Sequence, residues 1–380
     1  MRRIYADHAA TTPVRHEVVD AMLPHFGSGF NPSSLHREGR TARAALDAAR
    51  TSVAASLGAA PREIVFTGCG SEADNLAILG VARAHGRPAH AVTSAVEHHA
   101  VLHAFDVLRE RGWEITLLGV DSNGRVDPAA LAAALRPQTV LVSLMLANNE
   151  LGTLNPVAEL ADVARRPGRF FHTDAIAAPG RYPLDVAALG VDLLSLSSHK
   201  FYGPKGVGAL YARSGTPLAG VVVGGGQEAG LRAGTENVAG IAGFAVAFEL
   251  AVAEFAGEAE RLHALRERFE TQVSAAIGGV RVNAAAAERL PNVSSLAFEG
   301  ISALEAIIRL DLEGVAVSAG SACAAGASEP SHVLNALDVP RWARTGTVRF
   351  SFGKLTLEED VEALTRMLPG VVAALRGEAC

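Results

Sequence analysis

A lysine stands in a stretch of small and polar residues between two apolar runs. Residues 195–206 read Ser-Leu-Ser-Ser-His-Lys-Phe-Tyr-Gly-Pro-Lys-Gly, with Lys200 near the centre. A lysine amine that forms a Schiff base needs a confined approach, and flanking hydroxyls can bind the phosphate of a cofactor. Most lysines are exposed, so this segment alone also fits a surface turn. Other segments must therefore support the chemistry.

An aspartate follows another apolar run, 26 residues before Lys200. Asp174 comes directly after the predicted strand 170–173. Ligands of open α/β sheets bind at the carboxyl ends of the strands. A carboxylate there can pair with a protonated pyridine nitrogen and keep the ring an electron sink. Taken alone, Asp174 is also a common type of helix cap.

A third segment has the pattern of a phosphate-binding turn. Residues 66–73 read Phe-Thr-Gly-Cys-Gly-Ser-Glu-Ala, which predicts a strand, a turn of small residues and the start of a helix. Free backbone amides and the Ser71 hydroxyl can surround a phosphate at such a helix start. Turns rich in glycine and serine are common, so this motif adds weight only in combination.

The elements that position these residues alternate along the chain. Short apolar runs separated by helical patterns predict a parallel sheet covered by crossover helices, in a large α/β domain. The predicted helices cover residues 72–83, 100–111 and 128–135. The predicted strands cover residues 64–66, 91–93, 114–118, 140–144, 170–173, 193–196 and 207–211.

The second half of the chain predicts a smaller α+β domain. A glycine-rich stretch at 224–226 leads into an irregular loop, and a long amphipathic helix is expected from about 241 to 277. Strands are predicted at 293–298 and 347–351. We therefore expect a large domain of residues 13–255 and a small domain of residues 1–12 and 256–380, because 380 residues exceed the size of one core.

Charge, apolar content and cysteine spacing argue against several classes of partner. The formal charge of −6 is spread without long runs of one sign, which argues against direct nucleic-acid binding. No apolar run approaches the roughly 20 residues of a membrane span, and no secretory signal is recognised, so we expect a cytoplasmic protein without a membrane partner. Cys69, Cys323 and Cys380 share no metal-ligand spacing, so no resident metal is expected.

Further motifs complete a pattern that runs nearly from end to end. With these motifs the chain resembles the cysteine desulfurases of the class V aminotransferase superfamily, in the branch with a long flexible catalytic loop. The resemblance implies a fold of type I among pyridoxal-phosphate-dependent transferases, and L-cysteine as substrate. The motifs are Asp-His-Ala-Ala-Thr-Thr at 7–12, Asn-Pro-Ser-Ser at 31–34, Glu-His at 97–98, Asn-Asn-Glu-Leu-Gly at 148–152, His-Thr-Asp-Ala at 172–175, Ser-His-Lys at 198–200, Gly-Thr at 234–235, Ser-Ala-Gly-Ser-Ala-Cys at 318–323 and Val-Arg-Phe-Ser at 348–351.

The same resemblance implies the residues that react with the cofactor. Lys200 would form the Schiff base, Asp174 would pair with the pyridine nitrogen, and His98 would stack on the ring and transfer protons. Asn149 would contact both cofactor and substrate. Arg349 would bind the substrate carboxylate through two nitrogens, a geometry that suits guanidinium.

The phosphate contacts are implied in the same way. Gly70 and Ser71 in the turn, with Ser197 and His199 beside the lysine, would hold the phosphate. Thr235 would reach the phosphate from the second subunit of a homodimer.

Cys323 is the implied nucleophile. It precedes a loop of small residues, Ala-Ala-Gly-Ala-Ser-Glu-Pro-Ser at 324–331, and such a loop suits a thiol that meets a substrate and then an acceptor. The sulfur would be held as a persulfide and passed to an acceptor or scaffold protein in iron-sulfur cluster assembly, tRNA thiolation or DNA phosphorothioation. Cys323 could ligate iron-sulfur species during transfer. Cys69 and Cys380 are expected to be bystanders.

One position departs from the family pattern. Where the family has a glutamine that donates to the phenolic oxygen of the cofactor, this chain has Ala177. We hypothesise a specialised desulfurase. The alternatives are a selenocysteine lyase or class V aminotransferase, and a weakly active scaffold that binds a sulfur acceptor.

Overall fold

The apolar runs form strands, and the longer periodic segments form helices. The computed structural model describes residues 3–27, 30–319 and 331–377. The strands are β1 (Ile4–Tyr5), β2 (Ile64–Thr67), β3 (His90–Ser94), β4 (Glu114–Leu118), β5 (Thr139–Ser143), β6 (Phe170–Asp174), β7 (Leu193–Ser197), β8 (Gly208–Ala212), β9 (Val280–Val282), β10 (Val293–Phe298), β11 (Val315–Ala316) and β12 (Thr347–Ser351). The helices are α1 (His16–Met22), α2 (Pro24–Gly27), α3 (Arg37–Leu57), α4 (Gly70–His85), α5 (His99–Glu110), α6 (Pro128–Ala134), α7 (Val157–Ala164), α8 (Val186–Leu189), α9 (Val238–Ala253), α10 (Phe255–Ala276), α11 (Ala303–Leu312), α12 (His332–Ala336), α13 (Arg341–Thr345) and α14 (Glu358–Arg376).

The predicted large sheet is confirmed, and its seven strands end within one residue of their predicted bounds. The order is β2-β8-β7-β6-β5-β3-β4. Neighbouring strands from β4 to β7 run parallel, whereas β8 runs antiparallel to both β7 and β2. The turn that carries Lys200 therefore joins two antiparallel neighbours, and a short connection is sufficient there.

Helices cover both faces of this sheet, as a parallel sheet requires. On one face, α3 and the nearly uniformly apolar α9 pack around Phe66, Phe201 and Phe244. On the other face, α4 and α5 pack through residues such as Ile78 and Phe105. Because both faces are covered, the strands other than the edge strand β4 are largely buried, which is why the sequence predicted them well.

The smaller unit contains an antiparallel sheet of order β12-β10-β9, packed against α10, α11 and α14. Its core includes Phe269, whose ring contacts Phe350 and Phe352 edge-on. The strands predicted at 293–298 and 347–351 are present at those bounds. Near the N-terminus, β1 pairs in parallel with β11, so both ends of the chain contribute to this unit.

The single long helix predicted from 241 to 277 is wrong. The chain forms two helices, α9 and α10, that meet at Glu254 with a bend of 70°. Arg15 donates to the Glu254 carboxylate at 2.6 Å, and Lys354 also pairs with it. No glycine or proline marks the break, so contacts distant in sequence decide it. Within the described ranges no single helix is long and apolar enough to cross a membrane, and only this bent pair taken together reaches that length.

Two leucines on α11 give a matched test of the packing in the smaller unit. Leu310 is fully buried, whereas Leu312 is 76% exposed. We expect Leu310→Ala to lower the free energy of unfolding by about 2–5 kcal/mol, because it removes buried methyl groups and leaves a cavity. Leu312→Ala should change it by less than about 0.5 kcal/mol. Denaturant unfolding of both variants measures the difference, and equal values would contradict the packing of α11.

Candidate active site

A cavity of about 290 Å³ opens at the carboxyl edge of the large sheet. The turns that follow β2, β3, β5, β6 and β7 all reach it, because the carboxyl ends of parallel strands meet at one edge. The structure brings nine of the predicted site residues together here. They are Gly70, Ser71, His98, Asn149, Asp174, Ser197, His199, Lys200 and Arg349.

Lys200 directs its amine toward the N-terminal segment. Its Nζ donates to the carbonyl oxygens of Ala9 at 2.6 Å and Ala10 at 2.9 Å. Burial lowers the pKa of the Lys200 amine to about 8, and the nearby Arg349 and Arg181 contribute to the lowering. A substantial fraction of this amine is therefore neutral and nucleophilic near physiological pH, as Schiff-base formation requires.

Asp174 is the last residue of β6 and lines the cavity. Its Oδ1 accepts a hydrogen bond from the Ile176 backbone at 2.9 Å. Burial raises the pKa of the Asp174 carboxyl to about 6, while the hydrogen bond and Lys200 oppose the rise. A cation placed against this carboxylate, such as a protonated pyridine nitrogen, would favour its charged form.

His98 lies at the start of α5 and lines the cavity. Its Nδ1 accepts from the Ala100 backbone at 3.1 Å, so the neutral ring carries its proton on Nε2. Burial lowers the pKa of His98 to about 4, and Lys200 contributes to the lowering. At neutral pH the ring is therefore uncharged, which suits both stacking on an aromatic cofactor and proton transfer.

The phosphate turn has little space at its centre. The Gly70 amide donates to Ser197 Oγ at 3.3 Å, and a Cβ added at Gly70 would collide with Ile176 and lie 3.0 Å from the Ser197 Cβ. Ser71 follows in the first turn of α4, and both residues line the cavity. The positive end of a 16-residue helix thus faces the site, which suits an anion.

His199 lies beside Lys200 and also lines the cavity. Its Nδ1 is 3.1 Å from the Thr11 hydroxyl, and burial lowers its pKa to about 4. The ring is therefore a neutral hydrogen-bonding group near the predicted phosphate position.

Arg349 brings the smaller unit into the cavity. It lies on β12, is 1% exposed, and donates from Nη2 to Asp7 Oδ1 at 2.8 Å and from Nη1 to the Asn149 carbonyl at 2.9 Å. Its charge is thus held by fixed partners on two other segments. An arginine fixed in this way can bind a small carboxylate with little further ordering.

Thr235 does not line the cavity. It lies in the exposed part of the loop after the glycine-rich stretch. Cys323 falls within residues 320–330 and Cys380 is the last residue, so both lie outside the described residues. Cys69 is exposed and lines the cavity beside the phosphate turn.

Several polar residues of the cavity wall were not predicted from the sequence. Glu97 is fully buried, and burial raises the pKa of its carboxyl to about 8. The His332 ring donates from Nε2 to the Glu97 carbonyl at 2.9 Å and lies 4.4 Å from the His99 ring between centroids. Glu150 is buried in the same wall. Glu97 and Glu150 belong to the motifs at 97–98 and 148–152. Their positions next to His98 and Asn149 were the sequence signal that could have identified them as cavity residues.

Nothing in the described parts of the chain groups three or more His, Cys, Asp or Glu side chains in a way that could hold a metal ion. Pyridoxal phosphate, in contrast, fits the groups present. Lys200 would hold the aldehyde carbon, Asp174 the ring nitrogen, and Gly70 with Ser71 the phosphate. The observations that carry this fit are the amine of lowered pKa, the buried carboxyl group opposite it and the crowded turn that a Cβ would fill.

Comparisons with known proteins agree with this geometry. The model of the family described as aminotransferase class-V matches residues 4–364. A relative named cysteine desulfurase IscS, from Dictyoglomus turgidum, is 48% identical over 377 residues, which cover 99% of this chain and 96% of the relative.

Solved structures of known proteins also superpose on this chain. A NifS-like protein superposes with a TM-score of 0.92 at 35% identity, covering 98% of this chain and all of its own. The structure described as SspA in complex with cysteine superposes with a TM-score of 0.81 at 35% identity, covering 93% of this chain and all of its own.

Ala177 lines the cavity and supplies no side-chain donor. We expect Ala177→Gln to change the absorption of the bound cofactor and to strengthen its binding about 2–10-fold, since one neutral hydrogen bond contributes about 0.5–1.5 kcal/mol. Ala177→Met, of similar size but without the donor, is the control. Absorption spectra, cofactor titration and turnover measure the effect. Unchanged spectra and turnover in the glutamine variant would show that this position has no influence here.

Proposed function

Because this chain belongs to the aminotransferase class-V family and is a pyridoxal-phosphate-dependent cysteine desulfurase, we propose that Cys323 takes the sulfur of L-cysteine as a persulfide. The observation that carries the proposal is that Lys200, Asp174, His98 and Arg349 share one cavity. These four residues supply an amine, an acid, an imidazole and a carboxylate-binding group. The solved relative with bound cysteine supports the choice of substrate.

Arg349 would orient the substrate. Its guanidinium is already held by Asp7 and the Asn149 carbonyl, so the substrate carboxylate meets a fixed cation. Binding the carboxylate at Arg349 directs the amino group toward Lys200 and leaves the side-chain sulfur free for the thiol. Asn149 lines the same wall and would contact both substrate and cofactor.

Lys200 and His98 would transfer the protons. When bound, pyridoxal phosphate supplies an electron sink for a negative charge at the substrate α-carbon. Lys200, whose amine has a lowered pKa, would act as the base at the substrate α-carbon. His98 carries a proton on Nε2 and can exchange it with the substrate side. Asp174 would keep the ring nitrogen protonated.

The sulfur step requires a thiolate on Cys323. The thiolate attacks the substrate sulfur, a sulfur–sulfur bond forms, and the carbon–sulfur bond breaks with its electron pair left on the carbon. Protonation of that carbon and return of the α-proton to the α-carbon yield L-alanine, and the sulfur remains on Cys323 as a persulfide. A second thiol, on an acceptor or scaffold protein of iron-sulfur cluster assembly, tRNA thiolation or DNA phosphorothioation, would then accept the sulfur.

We extend the proposal to a homodimer in the cytoplasm. Thr235 is exposed and outside its own cavity, as a residue that serves a second subunit would be. Leu23, Phe26 and Leu35 are 57%, 69% and 90% exposed, and apolar side chains of this kind support a subunit interface. A reactive thiol that carries sulfur also suits a reducing compartment.

The direct test compares the wild type with Cys323→Ala. With L-cysteine and a reductant, the wild type should form alanine and sulfide in equal amounts. Cys323→Ala should keep the cofactor absorption but lose sulfide release by a factor of about 100 or more, because the attacking thiol is removed. Cys69→Ala is the matched control and should retain turnover.

Three results would contradict parts of the proposal. If Cys69→Ala lost sulfide release to the same extent, the nucleophilic thiol would be assigned to the cavity wall. A wild type that binds cofactor but releases no sulfide would favour another amino-acid substrate or a scaffold role. A wild type that binds no cofactor would contradict the role of Lys200.

The dimer is tested by a charge placed on its expected interface. We expect Phe26→Asp to weaken self-association at least 10-fold, since an aspartate in an apolar interface is buried without a partner. Leu312→Asp, on the exposed face of α11, should not alter it. Sedimentation velocity across a concentration series measures both variants. A monomeric wild type, or a fully dimeric Phe26→Asp variant, would contradict the assignment.

A further inference from the structure

A layer of buried polar side chains lies behind Asp174. His172 and Asp174 are two residues apart on β6, so their side chains project to the same face of the sheet. His172 is fully buried, with Nδ1 2.8 Å from the Ser143 hydroxyl and Nε2 2.9 Å from the Ser195 hydroxyl. Ser143 lies on β5 and Ser195 on β7, so the layer spans three strands directly below the cavity.

Asp74 covers this layer from the helix above. It lies on α4, one turn after the phosphate-binding residues, and is fully buried. One carboxyl oxygen is 3.7 Å from His172 Nε2, and the Ser195 hydroxyl lies beside it. Neither oxygen has a hydrogen-bond partner of good geometry among the described residues. A carboxylate anion in this position would lack the hydrogen bonds that a buried charge needs.

The charged groups around Asp74 do not balance a negative charge. Burial raises the pKa of the Asp74 carboxyl most, the facing acids Asp174 from β6 and Glu97 from the turn after β3 raise it further, and the Ser195 hydroxyl opposes the rise. The His172 ring lies 3.7 Å from Asp74, and burial lowers its pKa to about 3, so it is neutral. The amine of Lys200 interacts with Asp174 and lies on the cavity side.

We propose that Asp74 is a positioning residue for the cofactor: its carboxyl group stays protonated on the His172–Ser195 pair, so that Asp174 is the only anion facing the ring nitrogen. The inference rests on the cofactor contact proposed for Asp174. A proton on Asp74 removes the like charge that would otherwise force Asp174 to take up the proton itself. It also places a hydrogen-bond donor beside the Ser195 hydroxyl, which is the contact through which Asp74 would hold the layer behind Asp174.

The raised pKa of the Asp74 carboxyl determines whether the stability of the folded protein rises or falls with pH. A carboxyl with a higher pKa in the folded than in the unfolded state has its full contribution to stability below the unfolded pKa of about 3.9. That contribution is lost as the pH rises toward the folded pKa. The amide introduced by Asp74→Asn cannot ionise, so this variant would not lose stability in this way.

The first experiment uses the full-length protein without cofactor. Between about pH 5.5 and pH 8.5, the melting temperature of the wild type should fall by about 2 °C or more relative to Asp74→Asn, because only the wild type can lose the proton at this position. Asp106→Asn is the control, because Asp106 is exposed on α5. Parallel pH profiles of wild type and Asp74→Asn would overturn the proposal. An Asp74→Asn chain that does not fold would also overturn it, since the amide has the shape of the neutral acid.

The second experiment uses the protein loaded with pyridoxal phosphate. The pH titration of the cofactor absorption should move by less than about 0.3 units in Asp74→Asn, because a neutral group replaces a neutral group. Asp74→Leu lacks the donor, and its cofactor should dissociate about 5-fold faster or more. A shift of about one unit in Asp74→Asn would mean that Asp74 is charged and would overturn the proposal. A wild type that binds no cofactor would contradict the cofactor contact proposed for Asp174. The melting temperatures of the protein without cofactor would still show whether Asp74 is protonated.

Discussion

The site depends on the convergence of parallel strands at one edge of the large sheet. The strands end in unpaired backbone, and the residues that follow them must turn toward the same space. Asp174 and Lys200 reach the cavity from adjacent strands, β6 and β7, while His98 follows β3. Arg349 is the exception, because it arrives from the smaller unit and is held by Asp7 and Asn149. The distance between the Lys200 amine and the Arg349 guanidinium therefore depends on how the two sheets pack.

Burial acts on the main titratable groups of the cavity in the same direction, toward the neutral form. It lowers the pKa values of Lys200 and His98 and raises those of Asp174 and Glu97. Before cofactor and substrate arrive, the cavity therefore holds less charge than its composition suggests. Charge is restored by binding, since a phosphate, a ring nitrogen and a carboxylate each favour the ionised form of the group they meet.

The sequence predicts most of the fold and nine of the cavity residues, because the relevant signals are local. Buried apolar strands are continuous in sequence, and motifs such as Ser-His-Lys mark the turns that follow them. The break at Glu254 carries no local signal, since it depends on Arg15 and Lys354, which are distant in sequence. Asp74 was missed for a related reason. Within α4 it resembles an ordinary helical aspartate, and only packing against β6 and β7 shows that it is buried among other acids.

The pairing of β1 with β11 also bears on synthesis of the chain. Ile4 and Tyr5 leave the ribosome before their partners Val315 and Ala316, which follow roughly 15–60 s later at about 5–20 residues per second. The large sheet, whose strands lie between residues 64 and 212, can be complete before then. The N-terminal strand must therefore wait unpaired while the cofactor-binding half assembles. Translation order thus places β11, and the proposed nucleophile Cys323 that follows it in sequence, after the strands of the large sheet.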